Sequence, residues 1–130
     1  MADECSSFVM VVDDDADLRD TIMDVLEDKQ YRVVGASNGK EALDLLHGRS
    51  NPPCVILLDL MMPVMDGWDF RTQQLREPAL KDIPVCILTA AGFSDATIRA
   101  QFGQVPFLPK PPPHELLLEL VKNVCSLSDR

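Results

Sequence analysis

Apolar and polar positions come in blocks along the chain. Phe8–Val12 is an apolar run that ends on three acids, reading VMVVDDD. ADLRDTIMDVLEDKQ follows, with Leu18, Ile22, Val25 and Leu26 on one helical stripe. A short β-branched run, Tyr31–Val34, closes at Gly35. SNGKEALDLLHGR is a second helical stretch, with Asn38 placed to cap it and Gly48 to end it. CVILLD and IPVCILTA are apolar on both faces. Between them DGWDFRTQQLRE is helical and stops before Pro78. SDATIRAQF predicts a short helix capped by Ser94 and followed by Gly103. VPFL predicts a short last strand, and PPPHELLLELVKNVCSL a final helix with prolines at its entry.

Five strand–helix units result. Strands that are apolar throughout belong to a sheet covered on both faces, which means parallel strands with helical crossovers. The expectation is one doubly wound α/β domain over residues 1–130, with its ligand site beyond the carboxyl ends of the strands.

Composition bounds what such a domain does. The net charge of −9 argues against direct binding to nucleic acid or anionic membranes. No apolar run reaches the ~20 residues that span a bilayer. The opening MADECSSF has neither a basic leader nor a cleavage site, so the expected location is cytoplasmic. Met1 reads as a natural start, and no output domain is expected in the chain. Cys5, Cys54, Cys86 and Cys125 lie far apart without zinc-site spacing, and Cys54 and Cys86 read as buried small hydrophobes. His47 and His114 have no partner at metal-ligand spacing.

The ends of the apolar runs carry the chemistry. The first run ends at Asp13, Asp14 and Asp15, the third at Asp59 and the fourth at Thr89. The fifth is followed, after Pro109, by Lys110. Singly, Asp15 reads as a helix cap, Thr89 as a strand residue and Lys110 as a solvated cation. Together they make one site at one edge of the sheet. Crowded carboxylates suit a hard divalent cation such as Mg²⁺. A carboxylate beside it can act as a nucleophile and form an acyl phosphate. Phosphoryl transfer then needs alignment and positive charge, which Lys110 supplies, and Thr89 supplies a hydroxyl donor.

These residues resemble the receiver domain of two-component response regulators, of the chemotaxis-regulator kind. The resemblance rests on Asp13-Asp14 after VMVV, on LLDLMMPVMDG with Asp59, Pro63 and Gly67, on ILTA with Thr89, and on PFLPKP with Phe107 and Lys110. It implies a flavodoxin-like five-stranded parallel sheet in the order 2-1-3-4-5 with five flanking helices. It implies a signalling switch rather than an enzyme, phosphorylated on Asp59 by a sensor histidine kinase or phosphotransfer protein. Mg²⁺ would be bound by Asp14, Asp59 and the backbone carbonyl of Met61, with Asp13 acting through water. Lys110 would pair with the phosphoryl group and Thr89 would hydrogen-bond it. Phe107 would turn inward and reshape the face of helix 4, strand 5 and helix 5, where an output protein docks. The Lys110–Pro111 bond would be cis.

In such proteins Met61 and Ala91 help set the lifetime of the phosphate, and an apolar Met61 suggests a moderately long one. Ala90 is small and leaves phosphoryl entry open. Trp68 is expected to be a partly buried packing residue.

Two other readings compete. One is a receiver-like docking module that works without phosphorylation, although its usual mark, loss of the acids or the lysine, is missing here. The other is a haloacid-dehalogenase-like phosphohydrolase with Asp13 as nucleophile and Asp15 as acid/base. Against it, Ala16-Asp17 stands where that family has Gly-Thr, no acidic pair follows Lys110, and the chain lacks room for the larger core.

Overall fold

The computed structural model describes residues 8–89 and 95–128. The elements run β1 Val9–Val12, α1 Ala16–Asp28, β2 Val33–Ala36, α2 Gly39–His47, β3 Val55–Asp59, α3 Gly67–Arg76, β4 Val85–Thr89, α4 Asp95–Phe102, β5 Phe107–Pro109 and α5 His114–Ser128. The five strands form one parallel sheet in the order β2-β1-β3-β4-β5. Among the described residues, no helix is long and apolar enough to cross a membrane.

Side chains of a strand alternate between the two faces of its sheet, and each face here has its own apolar layer. Met10, Val12, Ile56, Leu58 and Ile87 pack with Leu46 of α2, Phe70 of α3 and Ile98 of α4. Val9, Val11, Leu57 and Leu88 pack with Ile22 and Leu26 of α1 and with Leu117 and Val121 of α5. Fully burying one such aliphatic side chain contributes ~1.5–3 kcal/mol. The continuous apolar strands are therefore explained by two covered faces, as their sequence implies.

Helix starts follow local chemistry. Asp15 Oδ1 accepts from the Leu18 N–H at 3.1 Å, so the third acid of VMVVDDD caps α1. Asn38 caps α2 through the Glu41 N–H, and Asp66 caps α3 through the Asp69 N–H.

Four expectations need correction. The helical pattern of α1 extends to Gln30, but the helix ends at Asp28. Gln30 turns to φ 73°, its N–H bonds Glu27 C=O, and the Tyr31 N–H bonds Leu26 C=O. That pair of bonds is a Schellman closure, built here without the glycine that usually marks one. β2 lies two residues later than Tyr31–Val34, with Gly35 inside the ladder opposite Val11. A Cβ on Gly35 would lie 2.9 Å from Met23 Sδ, so glycine permits the close packing of α1 rather than ending the strand. Cys54 is buried as expected, but it is bonded to Cys125 across 71 residues, with Cα atoms 5.1 Å apart. Sequence spacing carries no sign of a contact made by the fold. The last strand also shifts, from VPFL to Phe107–Pro109, because Pro106 has no N–H to give the ladder. Expectations for Cys5, Ala90, Ala91 and Ser94 fall outside the described residues.

A left-handed glutamine costs more than a glycine at that position. Gln30→Gly should raise unfolding stability by about 1 kcal/mol, read as a higher urea midpoint at unchanged slope. A lower midpoint would mean that Gln30 is not held left-handed.

Candidate functional site

The carboxyl ends of β1, β3, β4 and β5 bring the predicted residues together. Asp13 follows β1 directly, and its backbone N–H bonds Ala36 C=O of β2 at 3.0 Å, which continues the ladder. Its Oδ1 accepts from the Asp15 N–H at 2.9 Å, and its own carbonyl accepts from Arg19 Nη1 at 2.6 Å. Asp13 is completely buried, and Asp59, the last residue of β3, is 4% exposed. Asp14 is exposed. Carboxylate oxygens of Asp13, Asp14 and Asp59 lie within 4.8 Å of one another.

Lys110 stands between the two buried acids. Its Nζ is 3.2 Å from Asp13 Oδ2 and 3.2 Å from Asp59 Oδ1. The lysine is delivered by β5 and fixed by its own N–H bonding Thr89 C=O at 3.1 Å. The Lys110–Pro111 bond is cis, as expected. Thr89 ends β4 half-buried, one position beyond Leu88, which pairs with Asp59. Phe107 is half-buried against the core, with the Arg99 guanidinium carbon of α4 6.0 Å from its ring centre.

The electrostatics follow from burial. Loss of water, and then the Asp13 charge, push Asp59 up to about 6, against the pull of Lys110 and the Met61 N–H. Burial works against the Lys110 charge, but Asp13 and Asp59 outweigh it and hold the lysine above its usual range. Two negative charges near one positive leave the pocket short of positive charge.

The hydrogen bonding leaves the same shortage. Asp13 Oδ2 and Asp59 Oδ2 are buried without a hydrogen-bond partner. Lys110 is close enough to Asp13 Oδ2 for an ion pair but lies off the hydrogen-bonding direction. Buried carboxylate oxygens in that state favour a cation, and an all-oxygen set suits a hard divalent one.

The β3–α3 loop shapes the rim. A Cβ on Gly67 would overlap the Asp59 carbonyl oxygen and come within 2.9 Å of Leu60 Cα, so only glycine lets α3 start there. The Gly67 N–H bonds Leu60 C=O at 3.0 Å. The Gly39 N–H of α2 bonds Met65 C=O at 2.8 Å and braces the loop from the other side. Val64, at φ 71° and 78% exposed, holds a backbone conformation that β-branched residues rarely adopt. Met61 is also exposed, while its N–H reaches Asp59 Oδ1 at 3.4 Å.

Sequence reasoning missed a second set of contacts behind the site. Trp68 is partly buried as expected, and its ring centre lies 5.3 Å from that of Phe102 at the end of α4. Arg71 Nη2 donates to Phe102 C=O at 3.3 Å and Nη1 to Gln74 Oε1 at 2.9 Å. Buried Gln74 donates to Leu80 C=O and Ile83 C=O. The polar residues RTQQ carry no pattern that separates half-buried Arg71 and buried Gln74 from solvated neighbours.

Comparison with known proteins agrees with the geometry. Residues 9–122 match the family described as the response regulator receiver domain. Response regulator Rre1 of Synechocystis is 36% identical over 119 residues, covering 89% of this chain and 50% of that protein. A putative response regulator from Chloroflexus aurantiacus superimposes with a TM-score of 0.81 at 28% identity, covering 92% of this chain and 98% of that one. The Vibrio cholerae chemotaxis protein CheY4 gives 0.78 at 30% identity, over 91% and 98% of the two chains. The chain spans half or less of the length of the first curated relatives it matches. With its sheet order, its acidic pocket and its lysine, the chain belongs to the response regulator receiver domain family.

Proposed function

We propose that the chain is a phospho-accepting switch in which Asp59 takes a phosphoryl group from a phosphohistidine on a sensor histidine kinase or phosphotransfer protein. The observation that carries this is Lys110 Nζ at 3.2 Å from both Asp13 and Asp59, where one buried oxygen of each acid accepts no hydrogen bond. Asp14, Asp59 and the Met61 carbonyl would hold Mg²⁺, with Asp13 acting through water. When bound, Mg²⁺ supplies positive charge against the phosphoryl oxygens.

The protein's own residues do the rest. An Asp59 carboxylate oxygen attacks phosphorus, the phosphorus–nitrogen bond breaks, and its electron pair leaves with the imidazole. Lys110 pairs with one phosphoryl oxygen, and the Thr89 hydroxyl donates to another. The space Thr89 leaves is filled by Phe107, which now stands half-buried beside Arg99. The altered face comprises α4, β5 and α5, and an output protein reads it. Residues 9–122 then act as the receiver, in the cytoplasm where its phosphodonor lies. The exposed Met61 side chain offers an attacking water no hydrogen-bonding group, which favours a moderately long-lived phosphate. Asp15 is committed to capping α1, which disfavours the hydrolase reading that needs it as acid/base.

Incubation with Mg²⁺ and acetyl phosphate should add one base-labile phosphoryl group to the wild type, seen by intact mass, and none to Asp59→Asn. Thr89→Ala should still be labelled but lose the phosphorylation-dependent change in partner binding. Equal partner binding by wild type and Asp59→Asn under phosphorylating conditions would favour the docking module instead.

Without a divalent cation, folded Asp59 keeps its proton up to about pH 6, whereas the unfolded chain releases it near 3.8. The folded state therefore binds more protons between those values, and the Asp59 share of stability falls as pH rises through them. Chelator-treated Asp59→Asn should melt several degrees above wild type near pH 7.5, with the gap closing towards pH 4. Added Mg²⁺ should raise the wild-type midpoint more than the variant's. A gap independent of pH would overturn the assignment of this penalty to Asp59.

A further inference from the structure

The Cys54–Cys125 bond lies at the opposite end of β3 from Asp59. Cys54 immediately precedes the strand, and its N–H bonds Phe8 C=O at 2.8 Å, beside the start of β1. It is thus anchored to the centre of the sheet. Cys125 is near the end of α5 and continues the buried stripe of Leu117 and Val121 at four-residue intervals. The start of α5 follows closely on Lys110. One end of this helix is therefore tied to the acidic pocket, and the other is bonded covalently to the base of the strand that carries Asp59.

The bond is not the sheet's main support. Apolar layers cover both faces of the sheet, and a domain of this length commonly buries enough surface to stand without cross-links. A reduced cysteine is accommodated in an apolar layer as a small hydrophobe. Cys86 shows this in the same apolar layer, where it remains a free thiol pushed up to about 12 by burial. The bond's specific effect is on the far half of α5. That helix is otherwise held by one apolar stripe, and helix ends open locally at small cost.

We propose that Cys54 and Cys125 form a reversible thiol–disulfide latch that, when closed, pins the C-terminal half of α5 to the base of β3. The consequence for signalling rests on the function proposed above: a closed latch limits how far the α4–β5–α5 face rearranges on phosphorylation. The exchange partner is a small-molecule disulfide such as oxidised glutathione. Cys125, near the helix end and 7% exposed against 4% for Cys54, reacts first. Its thiolate attacks one sulfur of the small disulfide and expels a thiolate, giving a mixed disulfide. The Cys54 thiolate then attacks Cys125 Sγ and expels the second thiolate. The two protons lost by the cysteines go to the two departing thiols, and the two electrons reduce the small disulfide. Excess thiol reverses both steps.

The test equilibrates the full chain in glutathione buffers of graded redox poise, then alkylates free thiols and maps them by peptide mass. Cys54 and Cys125 should oxidise together while Cys86 stays a thiol, and Cys54→Ser should accumulate glutathione on Cys125. Hydrogen exchange without any phosphodonor should show the far half of α5 at least about tenfold better protected in the oxidised protein, with the central strands unchanged. Cys54→Ala/Cys125→Ala should match the reduced wild type. A pair that stays reduced in every buffer overturns the latch, and so does an oxidised pair with no change in α5 exchange. Acetyl phosphate is then added to both forms, and the exchange change at α5 should be larger in the reduced one. Equal changes overturn the signalling consequence. Failure to label Asp59 in either form overturns the phospho-accepting reading and leaves the latch judged on exchange alone.

Discussion

Lys110 Nζ lies 3.2 Å from an oxygen of each of two acids that are almost completely withdrawn from water. Two such carboxylates a few ångströms apart resist being charged together, because each loses hydration and repels the other. The lysine offsets part of that cost, but burial and the Asp13 charge still push Asp59 up to about 6. Most features of this edge of the sheet serve that arrangement. The Asp15 N–H and the continued ladder fix Asp13, and the Thr89 carbonyl fixes the backbone of Lys110. Gly67 lets the chain after Asp59 fold back without displacing the strand end. A pocket held one charge short favours a cation.

Much of the fold was legible because it depends on burial. Strands apolar on both faces require helices on both sides, and that alone sets a parallel, doubly wound sheet. The polar residues that end those strands were legible for the same reason, since a chain does not place Asp13, Asp59 and Lys110 at neighbouring strand ends for packing. Gln30, Gly35 and Cys54 mark where the reading gave out. α1 stops by a hydrogen-bond closure that any residue able to turn left-handed completes, so nothing in Gln30 announces it. Gly35 looks like a stop, yet it makes room for the side chains of α1, which only the packed structure brings near. Cys54 meets Cys125 because β3 and α5 share one layer, a fact of topology rather than of spacing. The Arg71–Gln74–Phe102 contacts were hidden likewise, because a polar helix residue looks the same in sequence whether it meets water or a buried carbonyl.

Those hidden contacts bear on where the structure can change. The Trp68 ring packs at a tilt against Phe102, and Arg71 holds the Phe102 carbonyl, so the C-terminal end of α4 is tied to α3. α3 in turn starts at Gly67, pressed against the Asp59 carbonyl. The closing end of α4 is thus built onto the frame of the pocket. Arg99, one turn earlier, lies over Phe107, and Phe107 shares a short strand with the residues that deliver Lys110. α4 is therefore held to α3 at its last turn and meets β5 on the sheet side through Arg99 and Phe107. The disulfide gives α5 a comparable fixed point at its own C-terminal end. Both helices are thus held at their C-terminal ends, and α5 is also joined at its start, through Lys110, to the acidic pocket.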